Sequence, residues 1–152
     1  MSDTLSFPST QSGAPRSRAA AIAWGSILAG ALSGAVMGLW SFGGPFPTPD
    51  WIGAYDDLPR RFLRLAHVAM FALGLLHMLV ARQITSAPIT PKLDRLGLNA
   101  MAAGNILMPT FLIAAAIWEP LKYLTPIPTT ALTVAFAIAA WSAYRQYKGV
   151  QS

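Results

Sequence analysis

The sequence predicts an all-α integral membrane protein, a bundle of four transmembrane helices joined by short loops with both termini on the cytoplasmic side. Three observations carry that expectation. Of 152 residues, 54% are hydrophobic and 11% charged, whereas soluble domains carry about 25% charged residues. The mean hydropathy is +0.46. Four apolar runs are each of the order of the ~20 residues that cross a hydrocarbon core, and Pro-, Gly- and charge-bearing segments separate them.

Residues 1–17, MSDTLSFPSTQSGAPRS, are rich in Ser, Thr, Pro and Gly. Such a segment has too little apolar surface to fold, and a disordered cytoplasmic tail is expected. Arg16 and Arg18 before an apolar run resemble a signal-peptide start. The run that follows outlasts the ~7–15 residues of such a region, so retention as a membrane helix is expected. The first span, 19–41, carries Ser26, Gly30, Gly34 and Gly38 at successive i+4 positions. Four residues advance a helix by about 400°, so these form one small-residue stripe of the glycine-zipper kind, suited to close helix packing. Packing within the chain is the expected use; a second copy or a foreign subunit is the alternative.

Residues 43–59, GGPFPTPDWIGAYDDLP, form a loop, because three alternating prolines forbid a helix. Trp51, Ile52 and Tyr55 are expected at headgroup level. Asp56 and Asp57 before Pro59 read as a helix start. The second span covers 62–81. Thr90-Pro91 reads as another cap followed by a first-turn proline, and Lys92 to Leu96 as an interfacial turn. The third span covers 97–118 and the fourth 128–144; residues 146–152 are expected to be a short cytoplasmic tail.

Orientation follows from the basic residues flanking the spans. One side receives Arg16, Arg18, Arg82, Lys92, Arg95, Arg145 and Lys148. The other receives Arg60, Arg61, Arg64 and Lys122, diluted by Asp50, Asp56, Asp57 and Glu119. The richer side is expected to be cytoplasmic, and the host membrane a bacterial inner membrane. Aromatic residues fall near both faces: Trp40, Trp51, Tyr55, Trp118 and Tyr123 on one, Trp24, Trp141, Tyr144 and Tyr147 on the other.

Composition excludes several function classes. The net charge is +5 and the pI about 10.1, yet the basic residues sit singly or in pairs at span ends and form no stripe for nucleic acid. The chain has no cysteine, which removes disulfides, thiol nucleophiles and Cys-ligated metal or iron–sulfur centres. There is no GxGxxG, HExxH or P-loop motif. No Asp or Glu falls within a span, which argues against ion-coupled transport.

The second span holds both histidines, His67 and His77. Ionisable groups inside a span are functional candidates by default, so these two are the candidate cofactor-binding residues, for haem b or a quinone. Their ten-residue separation places them about 15 Å apart and roughly 80° apart around the helix, so they share no face. Absence of a cofactor is therefore the leading expectation. If spans two and three are antiparallel neighbours, His77 lies level with Ala102, between Asn99 and Asn105. A polar clasp of His77 to either asparagine is expected. Pro109 cannot bond the Asn105 carbonyl, so a kink with a free acceptor is expected beside it. His67 has no evident partner and is the candidate for contact outside the chain. Arg64 is expected to snorkel outward or to pair with Asp56, Asp57 or Glu119.

The expected function is that of a non-enzymatic accessory, structural or assembly subunit of a larger membrane complex, respiratory or otherwise energy-transducing. The expected partners are the lipid bilayer and either other membrane subunits or a second copy. The alternatives are a small haem- or quinone-binding electron-transfer protein using His67 or His77, and a passive channel or carrier formed by an oligomer.

Overall fold

The computed structural model describes residues 13–41 and 43–150. Residues 1–12 of the expected tail, and 151–152 at the other end, lie outside the described residues. Helix α1 spans Gly13–Gly38, α2 Leu58–Ser86, α3 Pro91–Ile117 and α4 Pro126–Val150, with a 3-10 turn over Glu119–Leu124 between α3 and α4. All four contain a stretch long and apolar enough to cross a membrane.

Each helix is longer than the span read from hydropathy, because caps and prolines set helix ends and apolarity does not, although α1 stops at Gly38 and α3 at Ile117, short of the expected 41 and 118. Residues 13–17, assigned to the tail, open α1. Pro15 is accommodated there because first-turn N–H groups have no helical partner. Leu58 and Pro59 start α2. The Asp57 carboxylate folds back to accept from Ala54 N at 2.6 Å and does not cap the helix. Thr90 Oγ1 accepts from Leu93 N at 3.3 Å, so Lys92–Leu96 form the first turns of α3 and not a separate interfacial turn. Residues 146–150, expected to be tail, continue α4.

The α2–α3 pair is central, with α1 packed mainly on α2 and α4 mainly on α3. The apolar core joins Leu73, Val80 and Ile84 of α2 to Met101 of α3 and Leu132, Ala135 and Ile138 of α4. Dispersion between such close-packed side chains holds the helices together. Small residues set the spacing. A Cβ at Gly97 would lie 2.8 Å from Ile84 Cδ1 and one at Gly104 2.5 Å from Leu132 Cγ, so the Ile84 and Leu132 side chains fill the space above the α3 backbone. Polar pins close the α2–α4 contact: Ser142 Oγ donates to Ala87 O at 2.6 Å, and Gln83 Nε2 donates to Gln146 Oε1 at 3.4 Å.

Arg16 Nε donates to Thr85 Oγ1 (3.2 Å) and Arg145 Nη1 to Ile89 O (3.5 Å). The starts of α1 and α3 therefore share one end of the bundle with the ends of α2 and α4. At the opposite end, the 39–57 connection folds over itself. Ile52 is 1% exposed, while Trp51 and Tyr55 face outward. Gly43 and Gly53 take φ of 77° and 71°, a left-handed conformation that favours glycine in these turns. The Arg64 guanidinium lies 4.0 Å from the Tyr55 ring centroid. It pairs with no acid: among the described residues the one ion pair is Lys122–Glu119 at 2.6 Å. The planar guanidinium stacks on the ring face, an attraction that needs no desolvated carboxylate.

Candidate functional site

Three helices meet through a chain of polar side chains. Ser26 on α1, at the first position of the small-residue stripe, turns its hydroxyl toward both α2 and α3. Its Oγ lies 2.9 Å from Met70 O and 2.9 Å from Asn105 Oδ1. On α3, the Asn105 amide spans the gap: Nδ2 is 3.2 Å from His77 Nδ1 on α2. Asn105 and His77 are each 1% exposed. The geometry fixes the proton inventory. The Asn105 amide nitrogen donates, so His77 Nδ1 accepts and the imidazole is neutral, with its hydrogen on Nε2. A hydroxyl carries one hydrogen, so the Ser26 proton is shared between two acceptors.

Asn99 is not part of this chain. It is exposed on α3, six residues before Asn105 and along the same groove as His77. Depth alone allows either asparagine, and the structure brings Asn105 to the histidine. Pro109 is buried in α3, which continues as one helix to Ile117.

His67 is held separately, ten residues nearer the start of α2. Its Nδ1 lies 2.9 Å from Gly30 O and 3.1 Å from Ser33 Oγ. A carbonyl can only accept, so Nδ1 of His67 carries a hydrogen, whereas Nδ1 of His77 accepts. Phe71 presents its ring edge-on to the imidazole, centroids 5.3 Å apart. Gly34 forms the facing wall: a Cβ there would sit 2.6 Å from His67 Cε1. His67, which has no evident partner in the sequence, thus finds two within the chain for its Nδ1, while its ring stays half-buried. Ser33, three residues beyond Gly30 and off the i+4 stripe, supplies a partner that the stripe pattern hid, and the Gly30 carbonyl carries no sequence signal.

The stripe itself divides. Ser26 joins the polar chain, Gly30 and Gly34 receive Met70, Phe71 and His67 of α2, and Gly38 has nothing within 4 Å of a Cβ position. Gly34→Ala is accordingly expected to displace the His67 ring and cost about 1–2 kcal/mol of stability in detergent. Gly38→Ala is expected to be neutral or slightly stabilising, since alanine is the better helix former. Thermal unfolding of the two variants side by side checks the difference; equal midpoints would remove the packing role of Gly34.

A cavity of about 790 Å³ opens between α1 and α3 above α2. Arg16, Arg18 and Arg95 stand around it, and His77 belongs to its wall. These arginines read in the sequence as orientation signals alone, because their convergence depends on which helix ends meet. No group of three or more His, Asp or Glu that could hold a metal exists among the described residues. Comparison with known protein families, curated proteins and solved structures finds no match for this chain.

Proposed function

We propose that the chain is a small multi-pass protein of a bacterial inner membrane, both termini cytoplasmic, that serves as a non-enzymatic accessory or assembly subunit of a larger membrane complex. The observation that carries the reading is an uncovered ridge on α1. Trp24, Leu28, Leu32 and Val36 follow one another at i+4 and are 62%, 59%, 59% and 51% exposed. Among the described residues no element packs over this ridge, whose four side chains extend along about 18 Å of helix. The opposite side of α1 is spent on α2 and α3. A helix with one packed face and one bare apolar face fits a seam between this chain and another membrane subunit. The uneven distribution of basic residues between the bundle ends supports the orientation.

Both imidazoles engage neighbouring helices, which favours a packing role for them over ligation of haem b or a quinone. The sequence alternatives remain separable by one preparation. Purification of the tagged chain from native membranes in mild detergent is expected to recover further membrane subunits in fixed ratio, with no Soret band. Leu28→Trp/Leu32→Trp, which leaves the buried contacts intact, is expected to reduce that recovery about tenfold, the effect of ~1.4 kcal/mol at an interface. A lone monomeric polypeptide would overturn the subunit reading, and a Soret band would restore the haem one.

A further inference from the structure

We propose that the groove between α1 and α3 is a binding site for one anionic phospholipid, its phosphate held at the mouth by Arg16, Arg18 and Arg95 and an acyl chain laid toward His77. This rests on the membrane reading above. The groove exists because α1 leans on α2 and makes little contact with α3, so the two outer walls stand apart over an α2 floor. Its volume, about 790 Å³, falls in the ~300–1,000 Å³ range of ligand pockets.

The lining is graded along the helix axis. Arg16 and Arg18 lie in the opening turns of α1, and Arg95 in the second turn of α3. Deeper positions are apolar: Ile22 on α1, Ile84 on α2, and Leu98 and Ala102 on α3. From Thr85 at the mouth to His77 on the floor the drop is about 12 Å. A charged rim over an apolar slot of that depth matches an amphiphile whose head stays at the interface.

Charge complementarity selects an anionic head. Three guanidinium groups meet one carboxylate, that of Asp94, whose Oδ1 already accepts from Ile89 N at 3.0 Å. None of the three arginines is in an ion pair within the described residues. Arg16 Nε donates to Thr85 Oγ1, which leaves its two terminal nitrogens to donate elsewhere. The N-termini of α1 and α3 open at this end beside the C-terminal turn of α2, so the helix dipoles offset one another and the arginines carry the positive charge. Arginine suits phosphate oxygens because its donors form a planar fork.

The test is native mass spectrometry of the full chain released from nanodiscs of phosphatidylcholine and phosphatidylglycerol. The wild type is expected to retain one phosphatidylglycerol, undisplaced by excess inorganic phosphate. Arg18→Gln/Arg95→Gln is expected to lower retention about tenfold, and Ile22→Trp, which fills the apolar slot, to do likewise. Arg145→Gln/Lys148→Gln, at the same end but outside the groove, is expected to leave it unchanged. Equal loss in all variants, equal retention of phosphatidylcholine, or displacement by phosphate overturns the site. Extraction of membranes with alkaline carbonate separates the two claims. A chain released by carbonate removes the membrane reading and the lipid site with it. A resistant chain without the selective adduct removes the lipid site alone.

Discussion

Replacing Asn105 by leucine is expected to lower the unfolding free energy in detergent by about 2 kcal/mol, since it breaks two interhelical hydrogen bonds at once. Interhelical side-chain bonds in membrane proteins average only about 0.6 kcal/mol each. The remainder comes from what the substitution leaves behind: His77 is buried, and its Nδ1 loses its partner, at a cost of about 1–3 kcal/mol for an unsatisfied group. Ser26 suffers less, because its hydroxyl still reaches Met70 O at 2.9 Å. Ser26→Ala, by contrast, strands the buried Asn105 Oδ1, which loses its hydrogen-bond donor, and is expected to cost about 1–3 kcal/mol. The double variant Asn105→Leu/His77→Leu should recover part of the loss, because no polar atom is then stranded. Tryptophan fluorescence during unfolding in mixed micelles reads all three. An Asn105→Leu midpoint equal to the wild type would mean that the polar chain does not hold α1, α2 and α3 together.

The sequence made some parts of this arrangement readable and hid others, for physical reasons. Helix number, order and alternation follow from apolar runs and from Pro and Gly between them, because only a helix satisfies its own backbone in a lipid core. The level of His77 relative to α3 follows from a fixed rise per residue once two neighbouring helices run antiparallel. Which asparagine it meets does not, since Asn99 and Asn105 lie on different azimuths of α3 and hydropathy is blind to rotation about the axis. His67 illustrates a second limit. Its partners are a backbone carbonyl, at Gly30, and a serine outside the stripe, Ser33, and neither has a pattern to search for. The groove is a third. It depends on α1 leaning away from α3, a property of three helices together.

Close approach of backbones is where pattern reading misled most, and Gly74 shows it. The i+4 stripe drew attention to α1, yet the α1–α2 contact that would set a Cβ against backbone involves an isolated glycine on α2. A Cβ at Gly74 would lie 2.7 Å from Ile27 Cγ1 and 2.9 Å from the carbonyl oxygen of Ala23. An isoleucine can rotate away; a backbone oxygen cannot. At Gly30, by comparison, the nearest atoms belong to the Phe71 ring and the Met70 Cβ, at 2.9 Å and 3.2 Å, and the ring can swing. Gly74→Ala should therefore push the α1 backbone off α2, with an overpacking cost of about 2–3 kcal/mol. The displacement would also stretch the Ser26–Asn105 and His67–Gly30 bonds, both 2.9 Å and both across the helix that moves. Gly25→Ala, with nothing within 4 Å of its Cβ position, isolates the intrinsic effect of removing a helical glycine, up to about 1 kcal/mol in the stabilising direction. Opposite signs for Gly74→Ala and Gly25→Ala in the same unfolding assay are the expected result. A Gly74→Ala protein as stable as Gly25→Ala would show that α1 tolerates a wider spacing, and that the polar chain through Ser26 survives without backbone contact to enforce it.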